Sequence, residues 1–161
     1  MWAKEEQRMT KPGAGSLIAA AVKARNMALT SKRFNANGLK DRTMVQNGCF
    51  LLNHWGAGPG YDYRQYVRGP FSTELYEDYE ELRKGRFPFN DHGTEVDDAL
   101  IRDLSEVMSK GAKYLEAYTA MIVARKCNPN DDIDTFRRFV LSRVPELREE
   151  VEEVLKLPGF Q

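Results

Sequence analysis

The chain has 161 residues, 42% hydrophobic and 30% charged, and its 24 Lys and Arg balance 24 Asp and Glu. That size and composition fit one soluble globular domain, and no apolar run approaches the ~20 residues needed to cross a bilayer. The charge is uneven, because residues 1–70 hold 11 Lys and Arg against 4 Asp and Glu (+7), while residues 71–161 hold 13 against 20 (−7). Either two halves of one fold neutralise each other, or the basic half follows nucleic acid or an acidic partner.

Met1 to Gly15 is polar and carries Pro12, Gly13 and Gly15, the pattern of a mobile tail, with residues 16–161 as a single domain. Ser16 is expected to cap a first helix running to about Leu29. The apolar run Ser16 to Val22 is short, is followed by Lys23 and Arg25, and lacks a small-residue cleavage site, so it is not read as a signal peptide. Thr30 to Gly38 reads as a loop.

A second helix is expected from Asp41 or Thr43. Met44, Val45, Gly48, Cys49, Leu51, Leu52 and Trp55 recur at three- and four-residue spacing on one face. Gly56, Gly58, Pro59 and Gly60 end it. Tyr61 to Arg68 alternates with the period of a strand, with Gly69–Pro70 as its turn. Ser72 is placed to cap a third helix with Leu75, Tyr76, Tyr79 and Leu82 inward, closed by Gly85. Phe87 to Phe89 is a candidate edge strand.

The remainder reads as helix. Thr94 with Asp97 resembles a capping box, and Val96, Leu100, Ile101, Leu104, Val107 and Met108 form an inner stripe. Gly111 breaks the chain before Ala112 to Lys126, which Asn128–Pro129 ends. Asp131 or Asp132 caps a helix carrying Ile133, Phe136, Phe139 and Val140, and a last helix starts near Pro145.

Catalytic spacing is missing from this sequence. Its two histidines, His54 and His92, are not accompanied by the three or four ligands that zinc requires. Gly56-x-Gly58-x-Gly60 follows a helix rather than a strand and lacks the Lys-Ser/Thr of a phosphate loop. Ser72 has no Gly-x-Ser-x-Gly elbow around it. The carboxylates near Asp97 and Glu149 fall on polar helix faces. Glu116 is the exception, in an apolar stretch where a partly buried acid needs a partner. No catalytic residue, metal or cofactor is expected. Cys49 and Cys127 are read as buried free thiols in a reducing cytoplasm. The candidate contact face is basic: Lys40 and Arg42 before or at the second helix, with Arg64 and Arg68 flanking Tyr66 on the strand.

Three segments carry a resemblance. The helix MVQNGCFLLNHWG, the following YDYRQYVRGPFSTELYEDYEEL and the later Tyr114-Leu115-Glu116-Ala117-Tyr118-Thr119 resemble YwgA-like uncharacterised bacterial and archaeal proteins, relatives of Panacea-type (SocA-like) antitoxin domains. Tyr63, Gly69, Pro70, Phe71, Ser72, Glu116 and Thr119 are the marker positions. Asn47 departs from the family's usual lysine, and Gly48 follows it inside the helix, where glycine costs about 1 kcal/mol relative to alanine. The resemblance implies a mostly α protein with a minor strand component, a winged-helix-like core and a helical C-terminal extension. It does not imply an enzyme, and together with zero net charge and the absence of catalytic spacing it leads to the expectation of a non-enzymatic module binding a protein partner, in an antitoxin or defence setting. The alternative is a DNA-binding transcriptional regulator. Homo-oligomerisation is open, and no membrane association is expected.

Overall fold

A computed structural model describes residues 9–66, 69–85 and 95–160. Among them run seven α-helices and one strand pair: α1 (Ala14–Ala28), α2 (Leu39–His54), β1 (Arg64–Tyr66), β2 (Gly69–Phe71), α3 (Thr73–Lys84), α4 (Asp98–Ser109), α5 (Ala112–Cys127), α6 (Ile133–Arg143) and α7 (Arg148–Leu155). The fold is mostly α with a minor strand component. No helix among the described residues is long and apolar enough to cross a membrane.

The centre of the molecule is α1. Leu17 through Val22 and Ala24 are all buried, and a helix that is apolar around its circumference belongs in an interior. Its alanines let α4, α2 and α3 pack closely around it. Gly48 serves the same packing from α2: a Cβ there would lie 2.8 Å from Met108 Cε and 3.3 Å from both Ala21 Cβ and Leu104 Cδ2. The glycine that weakens α2 locally is therefore the residue that lets α2 approach α1 and α4. At the other end, α5, α6 and α7 close a second part of the core around Phe136, Val151 and Phe160.

Several local expectations hold. The Ser72 hydroxyl accepts from Leu75 N at 3.1 Å and starts α3, and Asp132 accepts from Thr135 N at 2.8 Å and starts α6. Gly111 separates α4 from α5, and Pro145 opens a 3-10 turn into α7.

Others are corrected. The first helix begins at Ala14 after Gly13, so Ser16 lies inside it, where its hydroxyl accepts from Glu95 N. The second begins at Leu39, and Asp41 is no cap, because its carboxylate is taken by Arg25 and by Asn35 N. Asp97 is itself the cap of α4, accepting from Ala99 N, rather than the third residue of a capping box. The strand expected over Tyr61–Arg68 is confined to Arg64–Tyr66, and Gly69–Pro70 is strand rather than turn. Antiparallel pairing sets Arg64 against Phe71, Gln65 against Pro70 and Tyr66 against Gly69. Pro70 is tolerated because a two-stranded sheet leaves an edge that needs no donor. Cys127 is exposed and only Cys49 is buried. The readings placed on Phe87–Phe89, His92 and Thr94 lie outside the described residues.

Candidate functional site

A cleft of about 250 Å³ opens between the first half of α2, strand β2 and the start of α3. Its floor is set by a paired contact. Gln46 on α2 donates from Nε2 to the Ser72 carbonyl and accepts at Oε1 from the Ser72 amide, both at 3.1 Å. Its side-chain amide thus meets Ser72, just beyond β2, as a neighbouring strand would. Gly69 lies against Asn47 so closely that a Cβ would collide with Asn47 Oδ1, and its φ of +112° is backbone that side chains rarely adopt. The Gly-Pro-Phe-Ser segment is held on α2 by these two contacts.

The cleft wall is aromatic and carries one charge. Arg42 is the single charged residue among those described as lining it. Its guanidinium carbon lies 4.9 Å from the Tyr76 ring centroid and 5.5 Å from that of Tyr79, within cation–π range. Its Nη2 donates to Glu80 Oε1. The other Glu80 oxygen accepts from Arg83 Nη2 at 2.7 Å, and Arg83 Nη1 donates to Asn37 Oδ1 at 3.0 Å. The Arg83 hydrogen bond, aided by the Arg42 charge, holds the Glu80 carboxyl below its ordinary range against a smaller opposing effect of burial. Tyr79 donates to the Ala36 carbonyl at 2.7 Å, and burial pushes its hydroxyl up to about 12. On the rim, Leu39 is 65% exposed and Tyr76 40%.

The structure divides the sequence candidates. Arg42, Gly69, Pro70 and Phe71 line this cleft, and Ser72 anchors it from behind. Arg64 is exposed on β1 opposite Phe71. Tyr66 contributes its backbone to the strand pair, and Arg68 lies outside the described residues. Lys40 is exposed on α2 and lines a separate small hollow with Thr43, Asn47, Leu115 and Glu116. Thr119 is buried within α5, donating to the Leu115 and Glu116 carbonyls, both at 3.0 Å. Tyr63 donates to Asn53 Oδ1 at 2.8 Å and packs edge-on against Phe50, so its part is structural.

Sequence reasoning missed Leu39, Gln46, Tyr76 and Glu80. Helical spacing assigns Tyr76 inward, but it lies 40% exposed at the cleft, with the Arg42 guanidinium carbon 4.9 Å from its ring centroid. The Glu80–Arg83 spacing of three residues was a legible hint of a side-chain pair. Among the described residues no group of His, Cys, Asp and Glu could hold a metal. No family model, curated protein or solved structure matches the chain.

Proposed function

We propose that this chain is a non-enzymatic interaction module that binds a protein partner in the cleft between α2, β2 and α3. The observation that carries the reading is the placement of Leu39 and Tyr76, two of the few large apolar side chains left exposed among the described residues, on the rim of that cleft. Exposed apolar groups around a concave site are the mark of an interaction surface. The resemblance to YwgA-like proteins and Panacea-type antitoxin domains supports a winged-helix-type module in an antitoxin or defence setting. Two free cysteines suit a reducing cytoplasm.

The test is affinity capture from an extract of the source cell, comparing wild type with Leu39→Ser and Tyr76→Ala. A partner retained by wild type and lost from both variants is the expected result. A partner held equally by all three would place binding elsewhere.

The second reading, a DNA-binding regulator, draws on the exposed Lys40 and Arg64. Arg42 does not add to it, since Glu80 already neutralises that charge. Phosphate contacts make affinity fall steeply with salt. DNA retention at low salt that survives Lys40→Ala with Arg64→Ala would remove this reading.

A further inference from the structure

We infer that residues 9–13 form a strap that holds the α3 wall of the cleft in place, with Lys11 as its clasp, so that freeing Lys11 lets the cleft open. The strap acts on the width of the cleft, whatever the cleft takes up.

The α3 wall has little apolar hold of its own. Of its apolar side chains only Leu75 and Tyr79 are buried, with Leu82 partly so. An element with few buried apolar contacts opens ahead of the rest of a fold. At about 100° per residue, Glu74 and Asp78 run along one flank of the buried pair, and Tyr76, Glu80 and Arg83 along the other. Arg42 and Asn37 hold the second flank, on the side of the cleft. The first flank meets the strap.

Every polar group of Lys11 is engaged there. Its main-chain N–H donates to Asp78 Oδ2 at 3.3 Å, and the fully buried Asp78 also accepts from the Tyr61 hydroxyl at 2.6 Å. Its Nζ donates to the Gly60 carbonyl at 2.7 Å and lies 3.1 Å from Glu74 Oε1. The same Nζ stands 4.6 Å from the Tyr61 ring centroid, within cation–π range. Its carbonyl accepts from Ala14 N at 3.0 Å, at the start of α1. One residue therefore joins α1, the loop before β1 and α3.

These contacts divide the work. The Glu74 pair is part exposed on both sides, 32% and 41%, and an ion pair in that setting contributes little. The Gly60 carbonyl and the Tyr61 ring fix the ammonium, and this seat aims the main-chain N–H at Asp78. A hydrogen bond to a buried carboxylate is of the stronger kind, and it is the one that grips α3. Loss of the ammonium frees the strap, and the N–H that Asp78 holds goes with it.

Amide hydrogen exchange of the full chain, followed by NMR, reads the opening residue by residue. Lys11→Met keeps the stem and removes the ammonium. It is expected to exchange about tenfold faster at residue 11 and across residues 76–84, with α5, α6 and α7 unchanged. Lys11→Arg, which keeps a charge, is expected to fall between it and wild type. Lys23→Met, which removes an exposed amine facing Asp98, is the control and should leave α3 as it is. The second readout sits in the cleft, where Val45 is 2% exposed. Val45→Cys, a change that nearly conserves volume, is expected to react with a thiol reagent about tenfold faster once Lys11→Met is added.

Unchanged exchange across residues 76–84 in Lys11→Met would overturn the strap. So would equal acceleration in every helix, which would mark Lys11 as a contributor to global stability alone. Faster exchange in α3 without faster labelling of Val45→Cys would show that α3 frays while the cleft stays shut, and would overturn the link to the cleft.

Discussion

Gln46 holds Ser72 by both backbone groups, donating to its carbonyl and accepting from its amide at 3.1 Å each, in a buried setting 26 residues apart in sequence. The amide side chain closes the junction between β2 and α3 and thereby sets the distance between the cleft's two walls. Removing it leaves the buried Ser72 N–H without its partner and takes one of two donors from the Ser72 C=O, which keeps Tyr76 N at 3.0 Å, at roughly 1–3 kcal/mol together. Gln46→Ala is therefore expected to lose about 1–3 kcal/mol of stability in urea denaturation. Gln46→Glu is expected to be as damaging at neutral pH, because a carboxylate cannot donate to Ser72 O. It should recover in part below the ordinary Glu pKa of about 4.3, where a proton restores the donor. Wild-type stability in Gln46→Glu at pH 7 would show that the Tyr76 N–H alone satisfies the Ser72 carbonyl.

Arg25 is buried in the wall of α1 and meets Asp41 at 3.2 Å, while its Nη1 donates to the Lys32 carbonyl at 2.5 Å. The pair ties the α1–α2 loop to both helices. Breaking one side strands a buried charge, so Asp41→Ala is expected to lose about 3–5 kcal/mol. Arg25→Met with Asp41→Leu removes both charges and should recover much of that loss. Equal losses in the single and double variants would mean that the loop contacts, and not the charge pair, carry the stability.

Gly69 combines a positive φ of +112° with contact against Asn47. Gly69→Ala is expected to destabilise by about 2 kcal/mol or more through strain and collision together. Adding Asn47→Ala relieves the collision alone, so the double variant separates the two effects. A Gly69→Ala protein with an unchanged thermal midpoint would contradict this geometry.

Alkaline pH should unfold the protein. Burial first, then the hydrogen bond to Asp78 and that carboxylate's charge, push the Tyr61 hydroxyl up. Burial alone raises the Cys49 thiol, and burial chiefly moves Tyr79 to about 12. Each group binds its proton more tightly when folded, so its contribution is complete below the unfolded pKa and lost as pH rises through the folded one. For Tyr79 the window runs from about 10 to about 12. Thermal midpoints are expected to fall steadily across that range, and Tyr79→Phe should flatten the slope. A midpoint independent of pH there would refute the assignment.

The two thiols should differ in reactivity. Cys127 is exposed at the end of α5, and Cys49 is fully buried with its thiol pushed well above the ordinary range. An aromatic disulfide reagent is expected to modify Cys127 in the native protein and Cys49 only after denaturant is added, because the thiolate is the reacting form. Rapid modification of Cys49 in native protein would indicate opening between α2 and its neighbours.

What was legible in the residues was local chemistry. Ser72 and Asp132 cap their helices through contacts three positions away, and Gly111 and Pro145 interrupt the backbone where they stand. The failures share a cause, which is competition from distant partners. Asp41 looked like a cap because its pairing with Arg25 spans 16 residues. Tyr76 followed the inward period and yet lies at the rim.

The mostly helical class, the starts of α3 and α6, the break at Gly111 and the segment Gly69 to Ser72 as the chain's most distinctive stretch followed from the sequence alone, because caps, breaks and apolar periodicity act within a few residues. Only the tertiary structure decided that this segment is an inward-held strand, clamped by Gln46 and pressed on Asn47, and that Arg42 is stacked between two tyrosines at a cleft. Those facts depend on the approach of α2 to β2 and α3, and that approach is set by how side chains far apart in the chain fill a shared volume.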